Sequence, residues 1–205
     1  MTQKSALRIG ITGGMGCGKS IVSRIFHTLG IPVYDADSQA KWLMNHDPVL
    51  KDKIREAFGK ESYSEDGSFN RDYITTHVFR DEEKVKKMNS LVHPQVGIDY
   101  KNWQQHYAAS PYTLREAALL FEANAYKDLD AVIVVTAPLE LRIQRILQRD
   151  PHRTEADTRS IIAKQMPEDE KARRANHLIK NDETKLIIPQ VLELHTLFTK
   201  RYLDS

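Results

Sequence analysis

Short apolar runs recur along the chain, and each gives way to polar or helically periodic sequence. "LRIGIT" (residues 7–12) ends in glycines and is followed by helical periodicity from Ser20 to Leu29, which Gly30 closes. "IPVYDAD" is a second short run, "YTLREAALLF" and "AVIVVTA" are a third and fourth, and "HLIKN" is a weaker fifth. Strand-length apolar runs separated by helical segments predict an α/β fold, a parallel sheet of about five strands covered by helices on both faces.

Two regions break this rhythm. Residues 48–109 read as helical, interrupted by the turn-rich "GKESYSEDGSFN" and by Pro94, and residues 141–174 are helical again and dense in arginine. The expected organisation is therefore a core of residues 1–45, 110–140 and 175–205, a helical lobe over 46–109 and a helical lid over 141–174. "TKLIIPQVLELHTLF" is expected to form a closing helix on the sheet. No internal repeat or low-complexity tract is visible.

Composition narrows the class. At 205 residues, 40% hydrophobic and 28% charged, the chain suits a globular protein with one main core. A formal net charge of +2 gives no bulk attraction for nucleic acid, so an anionic substrate must be captured by locally placed cations. Cys17 is the single cysteine; it excludes an intrachain disulfide and suits a reducing compartment. "MTQKSALRIG" lacks the apolar run of a leader, and no stretch approaches the ~20 apolar residues of a membrane span. A cytoplasmic protein without membrane or nucleic-acid partners is the expectation.

The densest chemistry lies in "GGMGCGKS", which matches G-x-x-x-x-G-K-S with Gly13, Gly18, Lys19 and Ser20 in the defined places. Glycines let backbone N–H groups turn inward and approach phosphate oxygens, and the following helix adds its positive end. Gly14, Gly16, Cys17 and Ile21 complete the segment expected to face ATP. Lys19 can reach the β- and γ-phosphates, and the Ser20 hydroxyl can ligate Mg²⁺. For Cys17 a small filler in the loop is the expectation, rather than redox control. A guanine-reading N-K-x-D motif is absent, which argues against a GTPase switch. Small size with two irregular inserts instead suits a kinase of small molecules, one insert holding the acceptor and the other closing over ATP.

"VYDADSQA" places Asp35 and Asp37 at the end of the second strand. Residues two apart on an extended segment share a face, though a turn can separate them. A carboxylate here can accept the proton of an attacking hydroxyl or support Mg²⁺ through water; alternatively, either aspartate caps a helix starting near Ser38.

With these residues in place, the chain resembles the dephospho-coenzyme A kinase family. "ITGGMGCGKS" and "DAD" carry the resemblance, and "FNRDYITTHVF", "MNSLVHP", "ALLFE", "LRIQRILQRD" and "KARRANHLIKN" extend it, in family order, over nearly the whole chain. The resemblance implies a P-loop kinase fold with a helical CoA-binding insert, and ATP-dependent phosphorylation of the 3′-hydroxyl of the dephospho-CoA ribose. It makes Asp37 the base for that hydroxyl and gives Asp35 an orienting or Mg²⁺-linked role. Thr12 is matched to a threonine near the reacting phosphates, and Arg145 and Arg149 to arginines at the lid entry. Arg71 and His93 are matched to the acceptor-contacting lobe, and Asn181, with Lys171, to the adenine side. Glu122 of "LLFE" is matched without deciding between a structural and a substrate-binding role. Four positions depart from the family pattern: Ile21 for threonine, Ala118 for proline, Asn176 for aspartate and Arg142 for glutamine, the last adding positive charge to a basic lid. A nucleoside or nucleotide kinase of the same fold, disfavoured by the long 48–109 stretch with its H-P pair, and a non-catalytic nucleotide-binding switch are the alternatives.

Overall fold

The computed structural model describes residues 5–204; "MTQK", the start of the segment expected to carry no leader, lies outside the described residues. Five strands, β1 (Leu7–Thr12), β2 (Val33–Asp35), β3 (Tyr112–Glu116), β4 (Ala131–Thr136) and β5 (His177–Lys180), form one sheet in the order β2-β3-β1-β4-β5. Every pairing is parallel, as the alternation of apolar runs and helices predicts. β4 reads as an almost unbroken apolar run because both of its faces are covered. Ile9 and Ile11 of β1 and Ile133 and Val135 of β4 are buried together with Val22 and Phe26 of α1 (Lys19–Thr28) and Val191, Leu194 and Phe198 of α9 (Ile187–Asp204).

The chain divides into two compact units. One comprises Met1–Asp35 and His106–Ser205 and holds the sheet. It also holds α6 (Leu139–Arg149), α7 (Glu155–Ala163) and α8 (Glu168–Arg174), the region expected as a lid. In α9, Gln190 reaches the outer edge of β5: its side-chain oxygen accepts the Lys180 N–H at 2.8 Å and its amide donates to the Lys180 carbonyl at 2.9 Å.

The other unit, Ala36–Gln105, is helical. It contains α2 (Ala36–His46), α3 (Pro48–Phe58), α4 (Arg71–His77) and nearly all of α5 (Glu82–His106). Local chemistry sets its boundaries. Asp47 caps α3 by accepting the Leu50 N–H, with Pro48 at the first helical position, and Asn70 caps α4 by accepting from Tyr73. The turn-rich stretch becomes a short 3₁₀ turn (Lys60–Ser62) and a tight reversal joining Tyr63 to Phe69.

Three local expectations are corrected. Pro94 does not interrupt its helix; it sits inside α5. A proline removes one backbone hydrogen bond and crowds the preceding turn, but Met88 and Val92 before it and Val96 and Tyr100 after it are all buried, so both sides of the helix stay anchored. The third strand stops at Glu116, and "AALLF" leaves the sheet as turns in which Leu120 and Phe121 are still buried. The helix after β2 starts at Ala36, not near Ser38, so Asp35 closes a strand while Asp37 lies in the first turn of α2; the two do not share a strand face. Among the described residues no helix is long and apolar enough to cross a membrane.

Candidate active site

The site grows from the carboxyl end of the central strand, where open parallel sheets bind ligands. β1 ends at the fully buried Thr12, and residues 13–18 form the loop that leads into α1. Gly13 and Gly18 show why the loop needs glycine. A Cβ at Gly13 would collide with the Val135 carbonyl, a backbone atom that cannot step aside. Gly18, at φ 90°, lies in the left-handed region and precedes the first helical residue. No side chain caps α1, so its leading amide protons and positive end are left for an anion.

Gly18→Ala tests this local geometry. A Cβ there would strike the Asn181 side-chain amide, which donates to the Cys17 carbonyl at 2.8 Å. Strain at such a position costs about 1–3 kcal/mol. Thermal unfolding should show that loss, and calorimetry should show weakened ATP binding.

The functional side chains of the loop are engaged at short range. Lys19 Nζ donates to the carbonyls of Gly13 (3.0 Å) and Gly14 (3.4 Å), which places its ammonium over the loop. Ser20 Oγ donates to Oε1 of Glu116 at 3.0 Å. Ile21 is exposed and Cys17 is wholly buried. Burial pushes the Cys17 thiol up, outweighing the nearby Lys19 ammonium, so the thiol stays protonated, as a packing residue should.

The arginine-rich segment is wired into this loop. Met15 is held at both ends: its N–H donates to Gln165 Oε1 at 2.9 Å, and its carbonyl accepts from Arg142 Nε at 2.8 Å. Arg142 also pairs with Glu168 at 2.5 Å and is nearly buried, so the positive charge expected on the lid surface is neutralised inside it. Arg145 donates to the carbonyl and side-chain oxygens of Asn181 (3.1 and 3.3 Å) and pairs with Glu183. Through Asn181 it is one contact from Cys17. Arg149, by contrast, pairs with its neighbour Asp150. A cleft of about 430 Å³ opens beside these residues, lined among others by Pro138, Arg142, Glu168, Lys180 and Asp182.

Behind the loop, Lys171 is fully buried and donates to Ala118 O (3.1 Å) and Glu122 Oε1 (2.8 Å), while Thr12 Oγ1 also donates to Ala118 O (3.3 Å). Glu122 further accepts the Met166 N–H at 3.1 Å. Burial alone would raise the Glu122 carboxyl, but Lys171 and the backbone amides outweigh it and hold it below its ordinary value. The stability this contributes is complete above the ordinary carboxylate range and is lost as pH falls through the lowered value. Lys171→Met should cost about 3 kcal/mol, the low end for a broken buried pair, because Glu122 keeps the Met166 amide. Urea unfolding should show this, with a smaller loss of stability on acidification than in the parent.

The remaining candidates lie elsewhere in the chain. Asp35 is exposed at the end of β2, paired in register with Glu116. Asp37, Arg71 and His93 are exposed residues of the Ala36–Gln105 unit, on α2, α4 and α5 respectively. Glu116 and Gln165 escaped the sequence reading. Glu116 carried one usable signal, an acid at the end of a strand-like run; Gln165 carried none. For a hard cation the fitting donors are the Ser20 hydroxyl and the carboxylates of Asp35 and Glu116, all oxygens.

The chain was then compared with known proteins. A family model described as dephospho-CoA kinase (CoaE) matches residues 7–186. A dephospho-CoA kinase of Bacteroides fragilis strain YCH46 is 36% identical over 189 residues, 92% of this chain and 91% of that protein. One from Porphyromonas gingivalis is 36% identical over 196 residues, 95% and 96% of the two chains. Among solved structures, TT1252 from Thermus thermophilus superposes with a TM-score of 0.80 at 30% identity, covering 95% of this chain and 98% of that one. Dephospho-CoA kinase from Campylobacter jejuni superposes at 0.70 and 25% identity, covering 94% and 97%. The match runs from β1 to the threshold of α9, taking in the loop, the helical unit and the arginine-rich segment, and the chain belongs to the dephospho-CoA kinase family.

Proposed function

We propose that the protein transfers the terminal phosphoryl group of ATP to the 3′-hydroxyl of the dephospho-CoA ribose, giving coenzyme A and ADP. What supports the reading is family membership together with one structural observation: Lys19 and Ser20 open an uncapped helix directly after a glycine loop rooted in the central strand. That arrangement supplies backbone donors, a point charge and a metal-facing hydroxyl to a triphosphate.

The residues divide the work. Gly13, Gly14, Gly16, Cys17, Gly18 and Ile21 offer backbone to the phosphates, and Asn181 serves the adenine side. Arg145 and Arg149 neutralise charge that spreads over the transferred group. Thr12 lines the reacting end through its bond to Ala118. Mg²⁺, when bound, would supply charge neutralisation at the phosphates, held by the Ser20 hydroxyl, with Asp35 placed to orient its water. Asp37 takes the proton of the attacking hydroxyl, Arg71 and His93 contact the acceptor, and Glu122 secures Met166 and Lys171 at the end of β3. Phosphoryl transfer needs mainly positioning and electrostatic stabilisation, which these groups provide. The low net charge and single buried cysteine support a cytoplasmic enzyme that does not use nucleic acid.

ADP release should be measured with dephospho-CoA and with a panel of nucleosides, and the product's phosphorylation site determined. Rapid release with dephospho-CoA alone, a 3′-phosphorylated product and far slower ATP hydrolysis without acceptor are expected. Preference for a nucleoside, or hydrolysis as fast as transfer, would overturn the assignment.

A further inference from the structure

We propose that Arg142 is a positioning residue for the phosphate loop: by holding the Met15 carbonyl it aims the Gly16 N–H at the phosphates of ATP, and Glu168 keeps the guanidinium in place. The inference rests on the reading above that the loop holds ATP, and on no step of the acceptor's chemistry.

Peptide geometry gives the first reason. A trans peptide unit is flat, with its C=O and its N–H on opposite sides. Whatever grips the carbonyl of one residue therefore decides where the next residue's N–H points. Arg142 Nε donates to the Met15 carbonyl at 2.8 Å, so that carbonyl faces α6 and the Gly16 N–H faces away from it. The Cys17 carbonyl is gripped in the same manner by the Asn181 side-chain amide at 2.8 Å, which turns the Gly18 N–H. The unit ahead of both runs in the opposite sense: its N–H, on Met15, is spent on Gln165, and its carbonyl, on Gly14, accepts from Lys19. An anion-binding loop works best when its amide groups are aimed before the ligand arrives.

Packing gives the second. Arg142 stands in the first turn of α6 and is 5% exposed. A Cβ on Gly14 would strike its guanidinium and one on Gly16 its backbone carbonyl, so the two glycines let α6 lie flush against the loop.

Charge gives the third. A guanidinium so deeply placed is costly unless its charge and its N–H groups are met. Glu168, the first residue of α8, meets them: one carboxylate oxygen pairs with the guanidinium at 2.5 Å, and the other accepts the Ala137 N–H, just beyond β4, at 2.9 Å. The grip on Met15 is thus anchored to the sheet. A buried pair that merely joins α6 to α8 is the structural alternative. The two roles part company when both charges are replaced by neutral groups, because the pair vanishes without leaving a buried charge alone.

Glutamine carries its side-chain nitrogen the same number of bonds from Cα as the arginine Nε, and methionine has that length without a donor. Arg142→Gln and Arg142→Met are therefore compared in a Glu168→Gln background, in which the side chain at 168 can still accept the Ala137 N–H. Each full-length protein is titrated with ATP by calorimetry while nitrogen–proton NMR follows the Gly16 amide; turnover on dephospho-CoA and a thermal midpoint complete the set. In the parent the Gly16 amide proton should move downfield on adding ATP, as a donor to a phosphate oxygen does. Arg142→Gln should keep that shift and turn over within about threefold of the parent, since a donor to Met15 survives. Arg142→Met should lose most of the shift and bind ATP about tenfold more weakly. Its turnover should fall about 10²-fold, the low end for one preorganised donor, at a thermal midpoint close to that of the glutamine variant. Equal turnover and equal Gly16 shifts in the two variants overturn the role of Arg142. So does a parent whose Gly16 amide ignores bound ATP, a result that stands even should the methionine variant fold poorly. A parent that shows the shift yet transfers nothing to dephospho-CoA overturns the proposed reaction while supporting the role of Arg142, and a parent that binds no ATP overturns both.

Discussion

Lys19→Ala is expected to lower turnover by roughly 10²–10³-fold or more, the cost of removing one preorganised donor to developing charge. The ammonium already lies over the loop, 3.0 Å from the Gly13 carbonyl, so little reorganisation separates its position from one over bound phosphates. Its loss should leave the fold standing. Lys19 itself is only partly buried, and the apolar root of the loop, Ile9 and Ile11, is untouched. Circular dichroism and a thermal midpoint establish folding, and single-turnover kinetics with dephospho-CoA measure the defect. Lys19→Arg should not restore activity, because a planar fork does not replace a compact point charge at this spot. Near-parental turnover in a folded Lys19→Ala protein would remove the loop from the chemistry.

Asp37→Asn should lower turnover by about 10²–10⁴-fold, the range for a lost general base. Asparagine keeps the size and hydrogen-bonding reach of the side chain but cannot take a proton, so dephospho-CoA affinity should change far less than turnover. Asp37 stands in the first turn of α2, where a negative charge also favours the helix by about 0.3–1 kcal/mol, and a small drop in stability is expected alongside. Asp35→Asn should be milder, and its defect should ease at high Mg²⁺, because the role proposed for that residue runs through the metal's water. If Asp37→Asn turns over like the parent while Asp35→Asn does not, the two roles are exchanged. If both behave like the parent, the base is neither aspartate.

The parts of this molecule legible in its sequence are those governed by short-range rules. β1 and β4 announce themselves because strands covered on both faces are apolar at most positions. The phosphate loop is legible because close backbone approach leaves only glycine at Gly13 and Gly18. Pro94 misled because helix-breaking is a local rule, and burial of Val92 and Val96 on either side overrode it. The start of α2 was misplaced by two residues because aspartate serves equally at a cap and in a first turn. The partners of Glu116, Arg142 and Gln165 lay beyond reach for another reason. Each matters through a partner 96, 127 or 150 positions away, and no local pattern records such a pairing.

The amide of Gln190 on Lys180 bears on how the protein behaves in a crowded solution. A sheet with open ends is a template for the strands of other chains, since backbone donors and acceptors wait there unpaired. At this end the outermost strand is only four residues long, and the glutamine from α9 satisfies both the N–H and the carbonyl of its last residue. At the opposite end the edge strand has just three residues before the chain turns into a helix. Neither margin offers a stranger enough free backbone to zip onto, so the sheet resists aggregation by its outline.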